Sequence, residues 1–133
     1  MTIKEKVLIV GAGSIGRRHA KIFSKHLKID IADISYSRIK LSNKLFKVND
    51  SYFDYKKAIV ENNYKFIAIC TPPHLHLEIA KLSVKHNNNL FIEKPLGINC
   101  KGWKKIAIEC KKKKLINYVA YCHRHISYFY RAK

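Results

Sequence analysis

KVLIVGAGSIGRRHAKIFSKHLKIDIAD, residues 6–33, is the stretch whose reading decides the fold. Val7, Leu8, Ile9 and Val10 form a continuous apolar run, which suits a strand buried on both faces. Gly11, Gly13 and Gly16 follow at once in G-x-G-x-x-G spacing. From residue 15 to about residue 26 the pattern turns helical, with Ile15, Ala20, Ile22 and Phe23 set among Arg and Lys. A second apolar run, residues 29–32, ends on Asp33, 20 residues beyond Gly13. In this order the parts have separate jobs. Gly11 admits the tight turn, Gly13 lets backbone approach a pyrophosphate, and Gly16 lets helix pack close on strand. The free N–H groups of the helix start, at Ser14 and Ile15, meet phosphate with the positive end of the helix dipole behind them. Asp33 stands where an adenosine ribose would offer its hydroxyls. The glycines alone would fit an ordinary turn. The strand before them, the helix after them and the acid at this distance together predict a dinucleotide site.

The 133 residues suit one domain, long enough to bury about two-thirds of the surface its unfolded chain exposes. Hydrophobic residues make up 47% and aromatics 11%, which supports a packed core and excludes a disordered chain. No apolar stretch of signal-peptide type follows Met1, and no run approaches the ~20 residues of a membrane span. The expectation is a soluble, cytoplasmic protein with no membrane partner. Cys70, Cys100, Cys110 and Cys122 contain no C-x-x-C pair and read as reduced, mostly buried thiols. Cys122, His123 and His125 lack the spacing of a zinc site, so no metal is expected. The charge is lopsided, with 27 Lys and Arg against 9 Asp and Glu, a net +18. Such an excess attracts polyanions. Apart from residues 111–114, however, the cations are scattered over helices and loops, as a solvated surface would have them. Nucleic acid is therefore not the partner this reading favours.

Beyond Asp33, residues 35–46 read as a helix with Ile39, Leu41, Leu45 and Phe46 on its apolar side. Arg38, in its first turns, lies near where an adenine would rest, as a stacking group or simply as a solvent-facing cation. Residues 47–52 hold at most a short edge strand. Residues 53 to about 62 are helical, with Phe53, Ala58, Ile59 and Val60 apolar, and residues 66–70 are the next buried strand. Thr71-Pro72-Pro73 breaks it, because proline cannot continue a central strand. A helix over 74–86, a strand over 90–92, a loop beginning Glu93-Lys94-Pro95, a helix from 99 or 100 to about 114 and a strand over 116–121 complete the series. Another helix begins near residue 126. Strands alternating with helices of this length predict βαβ units in a doubly wound parallel sheet, α/β in class. The unusual residues then collect beyond the carboxyl ends of the strands, where open α/β sheets bind ligands.

Taken together, GAGSIGRRHA, the strand ending in Asp33, CTPPHLHLEIA, FIEKPLG and YVAYCHRH resemble the Gfo/Idh/MocA oxidoreductases, the glucose-fructose oxidoreductase and inositol dehydrogenase family. The resemblance spans nearly the whole chain, and E-K-P after T-P-P-x-x-H is its specific part. It implies an NAD(P)-binding Rossmann domain over residues 1–125 and, over 126–133, the start of a linker helix to a second domain absent from this sequence. It implies hydride transfer to or from a sugar, sugar derivative or polyol; Asp33, whose negative charge would meet a 2′-phosphate, makes NAD the expected cofactor in preference to NADP. Thr71 and Pro72 would line the dinucleotide near its nicotinamide end. Glu93 would hold the ribose of that half, and Lys94 corresponds to the active-site lysine. His76 corresponds to a histidine of the site, and Arg124 to the arginine after the last strand, where Cys122 replaces an asparagine. Without the second domain the chain alone is expected to be inactive, and a full-length form to be a homo-oligomer. A non-catalytic dinucleotide-binding module is the alternative, and a basic nucleic-acid-binding protein comes after it.

Overall fold

The computed structural model describes residues 5–125. Val7 to Val10, apolar at four successive positions, belong to a strand with neighbours on both edges and helices over both faces. This strand, β1 (Lys6–Val10), pairs in parallel with β2 (Lys28–Ala32) on one edge and β4 (Phe66–Ile69) on the other. Beyond β2 lies the two-residue edge strand β3 (Ser51–Tyr52), and beyond β4 lie β5 (Asn89–Ile92) and β6 (Asn117–Val119). The order is β3-β2-β1-β4-β5-β6, all parallel, with helices α1 (Ser14–Phe23), α2 (Tyr36–Leu45), α3 (Tyr55–Glu61), α4 (Pro73–Lys85) and α5 (Trp103–Lys113) as the crossovers. The doubly wound sheet predicted from the alternation is the one observed.

Alternation along β1 divides the core. Val7 and Ile9 pack with Ile29, Ile31, Ala20 and Ile39 on the α1–α2 side, whereas Leu8 and Val10 pack with Ile67, Ile69, Ile79 and Ile92 on the α3–α5 side. Each fully buried Val, Leu or Ile among these contributes about 1.5–3 kcal/mol relative to exposure. One polar group interrupts this packing. Asp30, fully buried in β2, accepts hydrogen bonds from Lys6 Nζ (3.2 Å), Tyr64 Oη (2.9 Å), Asn49 Nδ2 (2.9 Å) and the Asp50 N–H (3.2 Å). Its charge is fully partnered, as a buried carboxylate must be. On the α1–α2 side, among the described residues, β4 to β6 meet the flank of α1 through Phe23. Phe23, Phe66, Phe91 and Tyr118 line a groove of about 320 Å³ there.

Several expected details differ. In α2 the buried residues are Ile39 and Ser42, while Leu41 and Leu45 are exposed. The helix covers only the narrow β2–β3 edge, and Ser42 is tolerated inside because its hydroxyl donates to the Arg38 carbonyl (2.8 Å). Phe53 and Val60, expected on the apolar side of a helix over 53–62, are exposed, and α3 begins only at Tyr55, capped by Asp54. The helix expected from residue 99 or 100 starts at Trp103, because Gly102 turns left-handed (φ 91°) ahead of it. Of the four thiols only Cys110 is buried outright; Cys100 and Cys122 are exposed. The helix expected from residue 126 lies outside the described residues.

Candidate functional site

The sheet reverses its winding between β1 and β4, and a cleft of about 610 Å³ opens there beyond their carboxyl ends. Its floor is made by the glycine loop. Gly11 has φ 98° and so near an approach to Cys70 and Thr71 that a Cβ would lie 2.8 Å from backbone atoms. A Cβ on Gly16 would sit 1.8 Å from the Gly11 carbonyl oxygen, which is why the helix can lie this close to its strand. Gly13 is different. It caps α1 with ordinary φ (−65°), and a Cβ there would meet nothing within 4 Å. That empty direction is the cleft itself. No side chain caps α1, so the N–H groups of its first turn face the cleft without a local acceptor.

Asp33 closes the loop from the other side. One carboxylate oxygen accepts the Ala12 N–H (2.7 Å), the other the Ser35 N–H (2.8 Å), and Arg38 Nη1 stands 3.6 Å away. The carboxylate therefore ties the glycine loop to the start of α2, with one further lone pair on each oxygen. Arg38, Phe53 and Ile34 form the outer end of the cleft, Ile34 being 90% exposed. At the inner end stand Thr71, Pro72, His74 and Leu75. The Thr71 hydroxyl is buried and has no hydrogen-bond partner among the described residues. An orphaned hydroxyl, an uncapped helix start and a glycine with open space above it are the features a phosphate-bearing dinucleotide would satisfy. The residues present fit that group.

The remaining predicted residues stand beside this cleft. Glu93 follows β5, and its carboxylate accepts the Lys94 N–H (3.0 Å) and meets His19 Nε2 at 2.6 Å. Lys94 itself is exposed and joined to Pro95 by a cis peptide. His76, on α4, is fully buried: Nε2 lies 2.8 Å from the Thr71 carbonyl oxygen and Nδ1 3.2 Å from that of Leu96. It bridges the loops after β4 and β5, and its ring nitrogens are turned to backbone. Arg124 belongs to the short turn Cys122–His125, and its side chain lies outside the described residues. Burial, with the Glu93 charge adding to it, pushes the Cys70 thiol up to about 12. Ser14 and Ile15 line the cleft with Gly11, Gly13, Asp33, Arg38, Thr71 and Pro72, as their positions in the sequence imply. Phe53 and His19 were not anticipated. Among the described residues no three His, Cys, Asp or Glu gather as a metal site.

The model of the oxidoreductase family with an NAD-binding Rossmann fold, Gfo/Idh/MocA, matches residues 5–121. The chain belongs to that family. The myo-inositol 2-dehydrogenase of Thermotoga maritima is 24% identical over 131 residues, covering 96% of this chain and 39% of its own length. The uncharacterized oxidoreductase YrbE of Bacillus subtilis is 32% identical over 94 residues, 68% of this chain and 28% of its own. The fold is similar to that of scyllo-inositol dehydrogenase from Lactobacillus casei, crystallised with NAD(H) and scyllo-inositol. That match has a TM-score of 0.87 at 18% identity and covers 98% of this chain and 40% of that one. The chain thus spans well under half the length of these relatives. Among the described residues, no helix is long and apolar enough to cross a membrane.

Proposed function

We propose that this chain is the cofactor-binding domain of an NAD(H)-dependent dehydrogenase acting on a polyol, sugar or sugar derivative. The single observation that carries the reading is the cleft at the reversal of the sheet, where an open glycine, an uncapped helix and an orphaned threonine hydroxyl converge. The N–H groups at Ser14 and Ile15 would hold the pyrophosphate, Asp33 and Arg38 the adenosine ribose, and Thr71 and Pro72 the inner half. Glu93 would accept from the hydroxyls of the second ribose. When bound, the dinucleotide supplies a hydride acceptor or donor. Lys94 would stand near the reacting oxygen, stabilising alkoxide character or relaying its proton. His76 acts through the loops it bridges and is a positioning residue in this reading. Arg124 would join the site by the family resemblance. The polyol class is carried by the inositol dehydrogenases among the relatives. A cytoplasmic setting suits the free thiols. A homo-oligomeric full-length form is proposed from the family resemblance.

Lys94 is exposed, and a reacting alcohol held by an exposed lysine lacks the orientation from which enzymes draw much of their rate. The 133-residue chain alone is therefore expected to bind dinucleotide with little turnover. Fluorescence titration with NADH, together with hydride exchange against a polyol panel, tests both halves. Saturable binding displaced by ADP is expected. No saturable binding would overturn the cofactor assignment, and robust turnover would overturn the expectation about catalysis.

A further inference from the structure

His19 lies on α1, one turn past the glycine loop, and no part of the cleft lining requires it. Its ring is fixed between two aromatics, stacked with Phe23 (centroids 5.7 Å) and edge-on to Phe91 (4.9 Å). So held, Nε2 points at Glu93 Oε1 from 2.6 Å, with both side chains less than one-fifth exposed (17% and 15%). A contact this short between imidazole and carboxylate is a charge-assisted hydrogen bond, stronger than a neutral one. The second carboxylate oxygen accepts the N–H of Lys94, and the Glu93 N–H donates to the Ile69 carbonyl (2.9 Å). Glu93 is thereby restrained at backbone and side chain, and only His19 reaches it from the helix whose start faces the cleft.

We infer that His19 is a positioning residue: it holds the Glu93 carboxylate at the angle from which it receives the nicotinamide-side ribose, and so joins the phosphate-binding helix to the Glu93-Lys94-Pro95 loop. The inference rests on the reading that the cleft takes NAD(H) with Glu93 at that ribose. Without His19, Glu93 keeps its bond to the Lys94 N–H but is free to swing out toward water. The loss falls on the half of the ligand beyond the pyrophosphate. ADP, which ends at the pyrophosphate, has no part of that half.

Calorimetric titration of the 133-residue chain with NADH and with ADP separates the possibilities. For His19→Ala, NADH affinity is expected to fall about tenfold, the worth of one hydrogen bond to a charged group, with ADP affinity within about twofold of wild type. His19→Gln, which retains an N–H donor, recovers most of the NADH affinity. Glu93→Ala loses at least as much as His19→Ala. If NADH and ADP affinities fall together in both His19 variants, the histidine serves only the fold of α1, and the inference is overturned. It is equally overturned if His19→Ala leaves NADH affinity unchanged or raises it while Glu93→Ala lowers it; the cofactor reading then stands. If Glu93→Ala also changes nothing, or the wild type binds no NADH, the underlying reading fails and the inference with it.

Discussion

Two glycines three positions apart do opposite things, and single methyl groups distinguish them. At Gly13 a side chain meets only open cleft and the backbone is unstrained, so Gly13→Val should fold with a melting temperature within a few degrees of wild type. It should abolish NADH binding, because the branched side chain occupies the space the pyrophosphate needs. Gly16→Ala places a methyl against the Gly11 carbonyl and forces helix from strand, at a cost of about 1–3 kcal/mol or more. Thermal melts and NADH titrations of both variants check the pair; normal NADH binding by Gly13→Val would remove the basis of the site. Asp33 is argued at the same scale. A 2′-phosphate would meet its negative charge, so NADH should bind several-fold tighter than NADPH. The structure adds a consequence that the sequence did not suggest. Because the carboxylate also accepts the Ala12 and Ser35 N–H groups, Asp33→Ser should lose affinity for both cofactors while shifting preference toward NADPH. Each N–H left without an acceptor costs about 1–3 kcal/mol where it is buried. Parallel titrations decide this, and tighter NADPH binding by the wild type would refute the preference.

At the level of elements, the helices and strands were legible wherever one residue type left no alternative. The apolar runs of β1 and β4 suited buried strands between turn signals, β2 read the same way in spite of Asp30, and Thr71-Pro72-Pro73 could only end a strand. What the sequence concealed was which side of a helix finds a partner. Leu41 and Leu45 look like core, yet α2 lies over the short β3 edge and buries Ile39 and Ser42 instead. The Glu93–His19 bond was hidden for another reason: it joins residues on separate elements, and no local pattern encodes it. Phe53 was placed in a helix that begins two residues later, so its position at the cleft went unseen. The end of β4 supplies a prediction at this scale. Burial and the Glu93 charge hold the Cys70 thiol protonated up to about 12, against an ordinary value of 9.0. In the unfolded chain that thiol ionises from about pH 9, so the unfolded state binds fewer protons and stability falls as pH rises from 9 toward 12. Tyr55 and Tyr64, also raised by burial and by their carboxylate neighbours Glu78 and Asp30, act in the same direction. Urea midpoints at pH 8, 9.5 and 10.5 should descend. In the native state at pH 8, a thiol reagent should modify the exposed Cys100 and Cys122 and spare Cys70 and Cys110. Rapid native labelling of Cys70 would contradict the assignment.

The whole molecule is governed by its charge. Nine carboxylates cannot pair 27 lysines and arginines, and several of the nine are already committed, Asp30 to Lys6, Asp33 to Arg38 and Glu93 to His19. The remaining cations repel one another across an exposed surface, and that repulsion acts against the compact state. Salt weakens it, since the Debye length contracts from about 30 Å at 0.01 M to about 10 Å at 0.1 M. Buried pairs such as Lys6–Asp30 are screened far less. Melting temperature should therefore rise with sodium chloride over this range. NADH affinity should move the other way, because the same field draws the anionic cofactor towards the cleft and Arg38 at its rim. Duplex DNA, if held at all, would be held by that field alone and should be released steeply with salt. One protein sample, melted and titrated across the salt series, gives all three slopes. A melting temperature that falls with salt would mean that surface ion pairs such as Lys56–Glu78 and Lys112–Glu109 outweigh the net repulsion. DNA binding that survives moderate salt would mean that the basic surface reads a nucleic acid, and the dinucleotide reading would then no longer account for the charge.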